Sequence, residues 1–262
     1  MSGVLGILAS YEAAATSYDT DAQAYFDQVV TNGGAALSSA WKTKINTLVV
    51  QLKADGNWTT VERLHLFYNE NAIAALTSLK NPSQAMAVAV NSPTFTASTG
   101  YTFNGSTNYI RSSFTPSTAS IYSQNSACEF FEATTRPSGT YVDCGASDGT
   151  TRSFLEVETS GTYYAACNSG SSAFISGSNS SSLAARYAYK RTGSTSFTFY
   201  KNGSGTSGSD NSGTPGIKEH YIGAYNNNGT AQYHAPDVIT YWGVGNGSIN
   251  ISALETALLA CR

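Results

Sequence analysis

The sequence predicts a mainly β protein: an antiparallel jelly-roll β-sandwich preceded by a small α-helical N-terminal region. Three observations carry this. Apolar residues recur every three or four positions over residues 18–80, then at every second position from Ala85 onward. Gly, Pro, Asn and Ser punctuate that second part at short, regular intervals. Charged residues are only 12% of the 262, about half the ~25% usual in globular proteins. Hydroxyl and amide side chains take their place, which suits short strands whose turn backbones need local hydrogen-bond partners.

Residues 1–17 have no period and read as an N-terminal arm, with Leu8 and Tyr11 as its candidates for holding a partner. Residues 18–80 read as a helical subdomain. Asp19 or Thr20 caps the first helix, whose stripe is Ala22, Tyr25, Phe26, Val29 and Val30, and Gly33-Gly34 stops it. The second carries Leu37, Trp41, Ile45, Leu48 and Leu52 and ends at Asp55-Gly56. A third, short helix is expected through Val61, Leu64 and Phe67, and a fourth from Asn71 to Lys80, closed by Asn81-Pro82. Such stripes pack on each other or on a sheet. As the functional alternative, Tyr25, Phe26 and Trp41 would serve oligomer or particle contact.

Residues 81–262 read as the sandwich with a short C-terminal helix. Asn104-Gly105 between aromatic residues signals a hairpin. Strands are expected at 127–133, 140–144, 153–158, 162–167, 184–190 and 196–200, and Lys201 to Gly216 as a polar surface loop. The last forty residues read as strand, polar turn, strand and closing helix, from Tyr221 through Asp237–Val244 to Leu259.

Chemical signals are sparse. The net charge is −3 and Lys190-Arg191 is the one adjacent basic pair, so no electrostatic footprint for nucleic acid is present. The apolar run at residues 4–9 is too short to span a bilayer. Cys128, Cys144, Cys167 and Cys261 lack zinc-ligand spacing, and their pairing, if any, is open. His65, His220 and His234 come with no carboxylate or cysteine cluster, so neither a metal nor a cofactor is expected. Asp143 and Asp148 are oxygen donors for calcium or simply turn residues. Glu156 and Glu158, two apart on a strand, form a carboxylate pair of the kind glycosidases use, or a solvated face opposite Phe154, Leu155 and Val157. Glu129 and Glu132 fall on opposite faces of an unbroken strand. Tyr225, Asn226, Asn227, Asn228 and Tyr233, in the closing stretch, combine rings that stack on sugars with amides that bond their hydroxyls.

Several stretches are familiar in order and spacing. Gly100-Tyr-Thr-Phe-Asn-Gly-Ser-Thr-Asn-Tyr-Ile110 and Phe197-Thr-Phe-Tyr-Lys-Asn-Gly203 resemble the early strands and late hairpin of laminin-G-like, concanavalin A-like jelly rolls. Tyr221–Tyr225, Asp237–Trp242 and Ile251–Leu258 resemble their closing strands and terminal helix. Lys53 to Trp58, Phe114–Pro116 and Gln124–Ala127 are similar to stretches in jelly-roll proteins of tailed bacteriophages. The resemblance implies a non-enzymatic virion surface protein: capsid decoration, head or tail fibre, or collar. Its partners would be other capsid or tail proteins and copies of itself, as in a trimer. It also implies two other roles, a lectin-like domain for host glycans and, more remotely, a glycan hydrolase. The β-glucanase strand Glu-x-Asp-x-x-Glu is matched only in part by Glu156-Val-Glu158-Thr-Ser-Gly161, with Glu where Asp is expected and Gly in place of the last Glu.

Overall fold

The computed structural model describes residues 17–159, 161–170, 174–178 and 183–262. Leu8 and Tyr11 lie outside them. The helices are α1 (Thr20–Thr31), α2 (Ser39–Ala54), α3 (Ala72–Leu76) and α4 (Ile251–Cys261). The strands of the first sheet are β1 (Val61–Leu66), β3 (Thr94–Thr96), β4 (Gly100–Thr102), β6 (Ala127–Thr135), β11 (Ala185–Arg191), β12 (Ser196–Lys201), β13 (Ser204–Ser209) and β17 (Val238–Gly245), in the order β13-β12-β11-β6-β17-β4-β3 with β1 also on β17. The second sheet holds β2 (Val88–Val90), β5 (Tyr109–Arg111), β7 (Cys144–Ser147), β8 (Thr151–Thr159), β9 (Thr162–Gly170), β10 (Ile175–Ser178) and β14 (Tyr221–Ile222), in the order β10-β9-β8-β7-β14-β5-β2. The hairpin β15 (Tyr225–Asn227) and β16 (Thr230–Gln232) extends it, β15 running parallel to β7. The fold is therefore a sandwich of two largely antiparallel sheets with a short helical region at its N-terminal end, as the period change at Ala85 implies.

The space between the sheets is filled by large rings. Phe131, Tyr187, Phe197, Phe199 and Trp242 of the first sheet meet Leu155, Tyr163, Cys167 and Ile222 of the second. Tyr163 and Phe199 stack across the gap with centroids 3.7 Å apart. The other face of the first sheet is covered too. Phe130, Ala188 and Tyr241 pack against Tyr25, Val29, Ile45, Leu52, Leu254 and Leu258, and the buried apolar residues of α1, α2 and α4 all join this cluster. Asp19 caps α1 through the Asp21 amide at 2.9 Å, and Asn250 caps α4 through the Ala253 amide. Arg186 anchors α4 to β11 through Glu255 at 2.8 Å. The layers are thus helices, first sheet, second sheet, and among the described residues no further layer covers the outer face of the second sheet.

Several expectations change: the strand expected at 140–144 begins only at Cys144, the helix expected from Asn71 to Lys80 is limited to α3, and four further differences follow. The third helix is instead strand β1, paired with β17. A bulge between Val61 and Arg63 puts Val61 and Leu64 on the helix-facing side three residues apart, while Phe67 faces the sandwich interior. Asn104-Gly105 makes a tight turn, with the Asn104 side chain accepting from the amides of Ser106 and Thr107 at 3.0 Å. It joins strands of different sheets, however, and so is not a hairpin. The stretch after Lys201 turns at Asn202-Gly203 and returns as edge strand β13 rather than remaining a loop. Tyr25 and Phe26, 0% and 3% exposed, are core residues of this chain and unavailable to a partner. The Tyr25 hydroxyl donates to the Ala74 carbonyl at 2.7 Å. Trp41 packs against the same core, half-buried.

All four cysteines are buried free thiols. Glu129 and Glu132 do take opposite faces. Glu129 lies inside the sandwich, accepting from Trp242 Nε1 at 2.7 Å beside His220 Nδ1 at 3.1 Å. Glu132 lies on the helix side with Arg262 and the Thr240 hydroxyl.

Candidate functional site

Alternation along β8 and β9 sends Ser153, Leu155, Tyr163 and Ala165 inward and leaves Arg152, Phe154, Glu156, Tyr164 and Ala166 on the outer face. Among the described residues no packing layer lies over the rings on that face. Val142, Phe154 and Ala166 form a small cluster with Tyr164 and Tyr225 against it. Over this cluster opens a cleft of about 400 Å³ lined by Val142, Arg152, Phe154, Glu156, Tyr225, Asn227 and Tyr233, with Ser147 and Gly149 at one side.

The hairpin β15–β16 builds the cleft's wall. Its turn residue Asn228 takes φ 50° and donates its amide to the Ser147 carbonyl at 2.8 Å, tying the turn to β7. Tyr225 and Asn227, two apart, face the cleft. Asn226 points the other way and is 3% exposed. Its amide donates to the Glu219 carbonyl and its oxygen accepts from the Gly229 amide at 2.7 Å. Of the five residues expected to bind, Tyr225, Asn227 and Tyr233 therefore line the cleft, and Asn226 and Asn228 hold its hairpin. Burial pushes the Tyr225 phenol above its ordinary value, with the Ser147 hydroxyl acting against that. Tyr233 is 52% exposed and holds φ 52°, a left-handed backbone that bulky residues rarely take.

Beneath the wall sits a buried charge cluster. Arg136 donates to both oxygens of Asp143, at 2.8 and 3.1 Å. Asp237 lies beside them, and burial pushes its carboxyl well above the usual range, with the Asp143 charge adding and Arg136 opposing. The backbone around Asp143 holds the wall. Val142 donates to the Tyr233 carbonyl at 2.9 Å, and Gly223 to the Asp143 carbonyl at 2.7 Å. The two aspartates considered for calcium have other partners. Asp143 pairs with Arg136, and Asp148 accepts from the amides of Thr150, Thr151 and Ile217.

Sequence reasoning missed Arg152 and placed Phe154 opposite Glu156, although residues two apart on a strand share a face. The Arg152 guanidinium lies over the rings of Phe154 and Phe174, at 5.4 and 5.1 Å. Burial lowers its affinity for a proton. Glu156 is the one carboxylate lining the cleft among the described residues. The side chain of Glu158 lies outside them.

Known structures match this architecture. Domain 4 of an extracellular GH43 arabinanase from Geobacillus stearothermophilus, solved with arabinotriose, aligns over 76% of this chain and 98% of its own, at 13% identity and a TM-score of 0.51. The likeness is one of fold. A Trypanosoma rangeli sialidase mutant with trans-sialidase activity aligns over 82% of this chain but 38% of its own, at 14% identity and a TM-score of 0.48. The CBM40 of the Ruminococcus gnavus IT-sialidase, bound to α2,3 sialyllactose, aligns over 52% of this chain and 82% of its own, at 11% identity and a TM-score of 0.38. No protein-family model and no curated protein sequence matches the chain.

Proposed function

We propose that the chain is a non-catalytic carbohydrate-binding domain whose ligand lies in the cleft on the open face of the second sheet. One observation carries the reading: Phe154, Tyr164, Tyr225 and Tyr233 sit on the outer face of the second sheet, which no layer among the described residues covers. Tyr233 is exposed, Tyr164 and Tyr225 are half-buried and Phe154 is the buried floor; an aromatic-lined cleft rimmed by polar groups is the surface that ligand sites present. Sugars offer such a site apolar ring faces and hydroxyl rims. Tyr225 and Tyr233 suit the first, and Asn227, Arg152 and Glu156 suit the second.

The motif resemblance to bacteriophage jelly rolls supports a setting on a virion surface, where the domain would meet host glycans and be held by capsid or tail proteins as a homo-oligomer. Mass spectrometry of purified particles tests that setting. The binding itself is tested on a glycan array with wild type, Tyr225→Ala and Tyr233→Ala. The reading expects retained glycans for wild type and loss in both variants. Absence of wild-type binding, or binding unchanged by both substitutions, would overturn it.

A further inference from the structure

The cleft does not end at Phe154. A second cavity of about 290 Å³ continues on the far side of β8, lined by Arg152, Phe154, Glu156, Tyr164 and Phe174. Three residues, Arg152, Phe154 and Glu156, line both cavities, so the two are halves of one groove running across the strands. Rings follow its whole length. Tyr233 and Tyr225 are 6.5 Å apart, Tyr225 and Phe154 5.8 Å, and Phe174 and Tyr164 5.2 Å, with the Arg152 guanidinium bridging Phe154 and Phe174. Phe174 is 44% exposed, an unusual position for a large apolar ring.

The geometry points to a linear oligosaccharide as the ligand class, lying across β15, β8 and β9 with sugar units in both halves of the groove. A site for a single terminal sugar needs one pocket and an end wall. Here the floor at Phe154 is shared and the aromatic lining resumes beyond it. Arg152 and Glu156 occupy the junction, where both can reach hydroxyls of adjoining units. This inference rests on the sugar reading of the cleft and adds the length of what it holds.

Calorimetry tests it with two- and six-unit linear arabino-, xylo- and galacturono-oligosaccharides, using the full chain as wild type, Phe174→Ala, Phe174→Trp and Tyr233→Ala. In wild type the six-unit form of the bound class should be tighter than the two-unit form by about tenfold, the equivalent of ~1.4 kcal/mol. Phe174→Ala should abolish that ratio while leaving the short ligand's affinity within about twofold, a change of under ~0.5 kcal/mol. Phe174→Trp should keep the ratio, and Tyr233→Ala should weaken both lengths. Equal affinity for both lengths, indifferent to Phe174→Ala, would overturn the extended groove and leave the nearer half standing. Failure of every length to bind wild type would overturn both.

Discussion

Tyr225 and Tyr233 face each other across the cleft wall, 6.5 Å between ring centres, from the two ends of one hairpin, and only Tyr233 of the pair has a left-handed backbone. A side chain in that conformation is strained by about 1–2 kcal/mol relative to glycine. Folding does not need the ring there, since Tyr233 is half-exposed. Strain kept at an exposed aromatic is the pattern of a functional position.

Tyr233→Gly separates the two roles. Glycine relieves the strain but adds about 0.4–1 kcal/mol of unfolded-state entropy. Unfolding free energy should therefore change by no more than about 1.6 kcal/mol, toward stabilisation, while glycan binding falls by tenfold or more. A loss of stability instead, with binding intact, would make the ring a structural strut.

Leu64→Ala tests the placement of β1. Leu64 is fully buried between β1 and the helices. Truncation there should cost about 2–5 kcal/mol, read as a lower denaturation midpoint with an unchanged slope. A surface-like change of under about 0.5 kcal/mol would contradict the strand's position.

This strand also shows why part of the fold was illegible. All six of its residues are buried, so it lacks the alternation that marks a strand with one wet face. The three-residue spacing of Val61, Leu64 and Phe67 mimics a helix, and its charged residues are buried by distant partners: Glu62 accepts from the amides of Ser120 and Ile121, and Arg63 donates to the carbonyls of Ala85 and Ser113. Sequence carries no trace of such distant loop partners. Where one face is wet or one stripe apolar, as in α2 and β12, the pattern read correctly. The site was legible to the same degree. Tyr225, Asn227 and Tyr233 sit in a polar turn and stood out, whereas strict alternation would have moved Asn226 off the site and brought Phe154 beside Glu156. Phe174 and Arg152 meet only through the pairing of β8, β9 and β10, which no local pattern encodes.

Asp237→Asn should stabilise the protein at neutral pH. The folded Asp237 carboxyl is held well above 3.8 by burial and by Asp143. Between the ordinary value and the raised one, the unfolded chain has released a proton that the folded chain retains. Stability therefore falls as pH rises from about 4, until pH passes the folded value. Asparagine has no proton to lose and keeps a donor to offer Asp143. Its midpoint should exceed wild type at pH 7, with the gap closing toward pH 4. A gap of the same size at both pH values would exclude this titration as the cause.

His65 makes the opposite contribution. It sits between Phe67 and Trp242, with centroids 5.9 and 5.8 Å away, and is fully buried. Burial, with the Arg63 charge adding, lowers its pKa from 6.5 to about 3. The unfolded chain then takes up a proton that the folded chain refuses, so stability is full above 6.5 and declines as pH falls toward the folded value, on the order of 1.4 kcal/mol per pH unit. Other titrating groups, Asp237 among them, are shared by the variant and wild type and cancel in the difference. His65→Phe places a third ring between the two present and removes the proton site. The difference in unfolding free energy between the variant and wild type should therefore move in the variant's favour by about 1–2 kcal/mol across that window. A difference that stays constant from pH 7 to pH 5, measured by denaturant unfolding, would show that His65 carries no proton linkage in this core.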